Sequence, residues 1–102
     1  MEPGSQLPKG VGEQLQALQE KLLQAQKELA NETVSATAGG GAVKITLTGD
    51  QRCTEVVIDP EALKDADAQM LADLVMTALN KALEESRNLA AERLSPYAPN
   101  LK

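Results

Sequence analysis

Polar and apolar residues repeat along the chain with two different periods, which divide it into helical and extended segments. From Glu13 to Glu32 the apolar residues are spaced alternately three and four apart, so they share one face of a helix. From Val43 to Thr48 every second residue is apolar, as in a strand with one buried face. The order predicts a long amphipathic helix followed by a small sheet. The helical stripe consists of Leu15, Leu18, Leu22, Ala25 and Leu29.

Glycines and β-branched residues around residues 43–48 predict a three-stranded sheet. Thr33 to Thr37 is the expected first strand and Arg52 to Ile58 the third. Gly39–Gly41 supplies one turn, and Gly49-Asp50 is expected to form a second, tight turn. Connections this short make the sheet an antiparallel meander.

Two helices are predicted after the sheet. Asp59-Pro60-Glu61 combines a capping carboxylate, a proline suited to the first helical position and an acid that complements the helix dipole. A short helix should therefore run through Leu63. Asp65 or Asp67 then begins a long helix that ends before Ser95-Pro96. The predicted fold class is α+β: long helix, three-stranded antiparallel sheet, short helix, long helix.

The last helix is apolar on more than one side between Met70 and Leu83. One apolar stripe of this helix can pack on the sheet. The second stripe must be buried against another surface, and a partner chain can provide it. About 28 helical residues span roughly 42 Å, whereas a compact chain of this size has a radius of gyration near 13 Å. We therefore expect a homodimer with two-fold symmetry and a polar segment, residues 84–93, that contributes little to the core. The expected interface residues are Leu71, Leu74, Val75, Met76, Leu79 and Leu83.

Composition narrows the possible functions. A chain of 102 residues fits one domain, predicted over residues 13–95 with tails at 1–12 and 96–102. Tyr97 is the only aromatic residue, which argues against base stacking, and histidine, the commonest general base, is absent. A phosphate-binding loop needs a lysine directly after its last glycine. Here Lys44 lies three residues after Gly41, inside a predicted strand, so the glycines do not form such a loop. We expect no enzyme, cofactor, metal, small-molecule substrate or membrane span, and a cytoplasmic location consistent with the lone Cys53.

The net charge of -5 means that any nucleic-acid binding must rely on local cations. The basic residues of the two long helices fit three interpretations: ordinary solvated faces, contact with DNA, or polar contact with a protein partner. The pattern alone leaves these open. The candidate DNA-contacting residues are Lys21, Lys27, Lys81, Arg87 and Arg93.

Several junction motifs resemble those of the YbaB/EbfC family of bacterial nucleoid-associated proteins, over about residues 13–94. They are residues 40–45 (Gly-Gly-Ala-Val-Lys-Ile), the Gly49 turn, residues 56–60 (Val-Val-Ile-Asp-Pro), and residues 71–75 with 78–80. The resemblance implies a tweezer-shaped homodimer whose sheets meet centrally and whose helical arms contact duplex DNA with little sequence preference, at the nucleoid. The acidic balance of this chain predicts weak binding.

A rival interpretation is a protein-binding module. Helix, hairpin and helix with an apolar cleft also describe a dimeric scaffold or a prefoldin-like holding chaperone without DNA binding. The third strand and the Asp59-Pro60 helix start argue against prefoldin.

Overall fold

The structure is a computed structural model, and it describes residues 10–97 of the chain. The elements follow the predicted order: helix α1 (Val11–Asn31), strands β1 (Thr33–Ala38), β2 (Val43–Thr48) and β3 (Cys53–Ile58), and helix α2 (Ala68–Leu94). A single 3₁₀ turn, Glu61–Leu63, stands where the short helix was expected. The α+β prediction is confirmed. Residues 1–9 and 98–102, which make up most of the two predicted tails, lie outside the described residues.

Helix α1 is packed at one end and open at the other. It begins at Val11, two residues inside the segment predicted as a tail. Toward its C-terminus Ala25 and Leu29 are buried, as the amphipathic stripe requires. Leu15 and Leu18 belong to the same stripe but are exposed, because within residues 10–97 the sheet and α2 do not extend far enough along the helix to cover them.

The sheet is the predicted antiparallel meander, in the order β1-β2-β3. Its inner face supplies most of the core, because every second residue of β2 points inward. The first turn contains three glycines with positive φ, a conformation that costs glycine little. The second turn is longer than expected. It runs through Gln51, which has a φ of 67°, and is followed by an irregular register between β2 and β3. The buried apolar residues of the sheet are Ala36, Ala38, Val43, Ile45 and Leu47.

Helix α2 crosses the inner face of β1 and β2. Of the two predicted starting residues, Asp67 is the N-cap, and its carboxylate accepts a hydrogen bond of 2.8 Å from the backbone N–H of Met70. The Asp59 carboxylate accepts a hydrogen bond of 3.0 Å from the backbone N–H of Glu61, the first residue of the 3₁₀ turn. Ala78 and Ala82 are fully buried. Their small side chains let the helix approach the sheet closely.

The prediction that residues 84–93 contribute little to the core was wrong. Ser86 is fully buried, and its hydroxyl donates a 2.8 Å hydrogen bond to the backbone carbonyl of Thr48. Arg93 forms an ion pair with Glu32 at the end of α1. A short polar side chain can be buried between a helix and a sheet if it has a hydrogen-bond acceptor there. Hydrophobic periodicity does not identify such a residue as buried.

The described part of the chain, residues 10–97, is elongated, with a radius of gyration of 20.5 Å and extents of 73 × 20 × 20 Å. A compact chain of about 100 residues would have a radius near 13 Å. From the sequence, the polar end of the last helix, residues 84–93, was the segment expected to lie outside the core. In the structure that end is packed, whereas the first half of α1 carries the exposed leucines.

Candidate nucleic-acid interface

The two candidate lysines of α1 lie on an exposed helix surface. Lys21 and Lys27 are both exposed, and neither takes part in a salt bridge with any residue between 10 and 97. Positions three and four residues away are the nearest neighbours on a helix surface, and none of those positions around either lysine carries a carboxylate. The charge of both lysines is therefore little screened by their own helix.

The two central candidates of α2 are exposed but lie among acids. Lys81 has Glu84 and Glu85 three and four residues ahead, and Arg87 has Glu84 three residues behind. Six residues correspond to a net rotation of roughly 120°, so Lys81 and Arg87 face different directions. Lys21 and Lys27 also do, and the neighbouring acids are what distinguish the two pairs. The carboxylates lower the positive potential that a phosphate would meet on this helix.

Arg87 borders a groove between α2 and the turn that joins β2 to β3. The groove has a volume of about 440 Å³. Its floor is apolar and its rim carries Asp50 and Gln51 as well as Arg87. Hydrogen bonding from the Thr48 hydroxyl, with the Arg52 charge adding to it, lowers the pKa of the Asp50 carboxyl below its usual value. An anion at this rim would meet a carboxylate beside the guanidinium.

Arg93 is held in place by a carboxylate. Its Nη2 lies 2.8 Å and its Nε 3.1 Å from the two carboxylate oxygens of Glu32, a bidentate pair, and its Nη1 lies 3.7 Å from Glu92. The hydrogen bonds that Arg93 donates to Glu32 lower the pKa of the Glu32 carboxyl and raise the pKa of the Arg93 guanidinium. The guanidinium joins the end of α2 to the end of α1, so the structure sets Arg93 apart from the other four candidates.

The six residues predicted for a dimer interface divide unevenly. Five of them, all except Met76, are partly buried and pack against the chain's own core. Only Met76 is exposed. Leu74, for example, lies against the first glycine turn, where a Cβ added to Gly39 would stand 2.8 Å from one of its methyl groups. The second apolar stripe of α2, formed by Met76, Leu79 and Leu83, is also used in part within the chain, because Leu79 and Leu83 pack against the core.

An exposed apolar surface lies on β3 and was not predicted from the sequence. Val56 and Val57, on opposite faces of the strand, are each about half exposed. Helix α2 packs mainly on β1 and β2, and β3 is an edge strand. Three consecutive apolar residues, 56–58, depart from the alternation seen in β2, and that departure was a signal of a strand with two apolar faces.

Other chemistry is sparse in the described part of the chain. Cys53 is an exposed free thiol at the start of β3. The glycine loop is the predicted hairpin turn. Between residues 10 and 97 no three histidine, cysteine, aspartate or glutamate side chains are grouped in a way that could hold a metal ion. In the same range neither helix combines the length and the apolar character that a bilayer crossing requires.

Comparison with known proteins gives a consistent result. The model of the YbaB/EbfC DNA-binding family matches residues 7–101. A nucleoid-associated protein of Pelotomaculum thermopropionicum is 39% identical over 89 residues, which cover 87% of this chain and 85% of that relative. One from Nocardia farcinica is 40% identical over 99 residues, covering 96% and 90%. The crystal structure of an uncharacterized protein from Helicobacter pylori superposes with a TM-score of 0.66 at 27% identity, covering 86% of this chain and 98% of that one.

Proposed function

This chain belongs to the YbaB/EbfC DNA-binding family, and we propose that it acts at the nucleoid as a homodimer that binds duplex DNA through its helices, with little dependence on sequence. The match of the family model to residues 7–101 is the observation that carries the proposal. The relatives named as nucleoid-associated proteins support it. The family is one of DNA-binding proteins and not of enzymes.

Phosphate contact is the binding mode that the available side chains support. The helices offer lysine and arginine, whereas the single aromatic ring leaves no platform on which bases could stack. Among the cations, Lys21 and Lys27 are the strongest candidates, because they are exposed and have no carboxylate three or four residues away. Lys81 and Arg87 have such neighbours and should contribute less. The net charge of -5 per chain keeps the overall affinity low.

Dimer formation is supported by the uncovered apolar surface at the β3 edge. Val56 and Val57 are exposed there, and β3 contains neither lysine nor proline, residues that commonly protect a strand edge from pairing. Met76 adds an exposed apolar side chain on α2. A second copy that pairs with the β3 edge would cover part of this apolar surface and would give the protein two sets of helical cations.

The test is a salt series of DNA binding with charge-matched variants. The wild type and three double variants would be titrated with two unrelated duplexes of about 30 base pairs between roughly 50 and 200 mM salt, where each phosphate contact adds about -0.9 to the log–log slope. The variants are Lys21→Gln/Lys27→Gln, Lys81→Gln/Arg87→Gln and the control Lys44→Gln/Lys64→Gln. All three remove two positive charges from each chain.

We expect equal affinity for the two duplexes and the largest loss of affinity and slope in the α1 variant. The α2 variant should show a smaller loss, and the control should stay close to the wild type. Equal losses in all three variants would refute contact through the helices and indicate an effect of net charge. If the wild type binds neither duplex at about 50 mM salt but suppresses the aggregation of an unfolded client, the scaffold or chaperone interpretation replaces this one.

A further inference from the structure

The first half of α1 presents an apolar surface that residues 10–97 leave largely exposed. This surface, named here the open seam, consists of Val11, Leu15, Leu18 and Leu22. Leu15 is 56% exposed and Leu18 42% exposed. A wide gap bordered by Leu15, Leu18, Leu22 and Tyr97 leaves one flank of the seam accessible.

The spacing within the stripe is that of a coiled coil. From residue 11 to residue 29 the apolar positions follow one another at steps of four, three, four, three and four, an unbroken seven-residue repeat. The inner part of the repeat, Ala25 and Leu29, is already buried within the chain. The open seam therefore continues a packed stripe outward in the same heptad register, which is the arrangement that a second helix can join.

The charges beside the open seam suit a second copy of the same helix. In a heptad repeat the residues flanking the seam meet the flanks of the partner helix. Here those flanking residues are Gln14, Gln19 and Lys21, and none is a carboxylate. The acids of this half, Glu13 and Glu20, lie on the opposite side of the helix. Two copies can approach with either relative direction and bring no pair of acids together, although each whole chain carries a charge of -5.

We propose that the open seam binds the open seam of another copy, so that homodimers associate further through their α1 arms. This contact is separate from the β3 edge and does not depend on DNA binding. Twelve residues of helix span about 18 Å, so one such contact is small and weak by itself. It becomes significant when many copies are close together, since tethering raises the effective concentration of each arm.

Sedimentation velocity of the full chain, without DNA, tests the proposal. The wild type would be compared over about 10 µM to 1 mM with Leu15→Gln/Leu18→Gln and with Leu23→Gln. Leu23 is a matched control, because it is 57% exposed on the same helix but lies off the stripe. Far-UV circular dichroism would establish that all three proteins retain the same helix content.

We expect the wild type to form a species twice the mass of its basal oligomer as concentration rises. Leu15→Gln/Leu18→Gln should shift this association to at least about ten-fold higher concentration, a loss of about 1.4 kcal/mol, and Leu23→Gln should leave it unchanged. Association should persist or strengthen as salt increases, because screening weakens the repulsion between acidic chains, whereas DNA binding should weaken.

Three results would overturn the proposal. They are a wild type that shows no association at about 1 mM, an equal effect of Leu23→Gln, and a seam variant whose basal oligomer itself dissociates. The last result would place the open seam in the basal interface. Since no DNA is present, failure here would leave the DNA-binding proposal standing, and failure of the gel-shift test would leave this one standing.

Discussion

Replacing Gly49 by alanine should loosen the junction between α1 and the sheet. The backbone N–H of Gly49 donates to the carbonyl oxygens of both Leu29, at 3.0 Å, and Glu32, at 2.9 Å. A Cβ on this residue would lie 2.7 Å from a methyl carbon of Leu29 and 2.8 Å from its carbonyl oxygen. Leu29 is only 4% exposed and has little room to move, and a carbonyl oxygen moves only with its backbone. The turn must therefore shift away from α1.

The size of the effect follows from these contacts. Overpacking of a core costs about 1–3 kcal/mol, and weakening the two hydrogen bonds adds about 0.5–1.5 kcal/mol for each bond that is lost. The lower entropy of alanine in the unfolded chain offsets about 0.4–1 kcal/mol. A net loss of about 2–3 kcal/mol should lower the Tm by roughly 10 °C or more in a domain of this size.

Thermal denaturation followed by circular dichroism measures this, with all samples at one protein concentration because association would raise the Tm. Gly12→Ala is the control. Gly12 lies in α1, and a Cβ there meets no atom within 4 Å. Its Tm should stay level or rise slightly, since alanine favours the helix. A Gly49→Ala protein that melts within about 2 °C of the wild type would refute the close contact described here.

Three smaller predictions concern single polar contacts. Asp67→Ala removes the N-cap of α2 and should cost about 1 kcal/mol in thermal or urea unfolding, whereas Asp67→Asn should retain most of that stability. Ser86→Ala removes the buried hydrogen bond to Thr48, and the loss of about 1 kcal/mol is partly offset by alanine's helix propensity. Ser86→Val should destabilise more, by overpacking, and the reverse order would contradict the close contact. Arg93→Gln should lower the Tm near neutral pH, and the difference from wild type should shrink and then vanish as the pH falls below the ordinary glutamate pKa and through the lowered pKa of Glu32 in the folded state. The pKa of Glu32 is lowered in the folded state, so its stabilising contribution is present above the unfolded value and lost as acid protonates the carboxylate.

The sequence by itself determined the elements, because their signals are local. The spacing of apolar residues in α1, the alternation in β2 and the capping carboxylate of α2, expected at Asp65 or Asp67, each involve residues within one or two turns of one another. The junction motifs also identified the family, which the match over residues 7–101 confirmed. The DNA-contacting residues and the dimer-interface residues stay predictions. Exposure of a cation does not show that it meets DNA, and a single chain does not show where a second copy binds.

The tertiary structure decided which parts of each stripe are covered. Periodicity shows that Leu15 and Leu29 share a face, but only the point where α2 and the sheet stop determines that Leu29 is buried and Leu15 is open. The packing of Ser86 and the pairing of Arg93 with Glu32, 61 residues away, likewise depend on where two distant segments meet. The sequence pattern shows which face of its element each side chain occupies. It does not show how far the neighbouring element extends over that face. For that reason the projecting, open surface belongs to α1 and not to the polar end of α2.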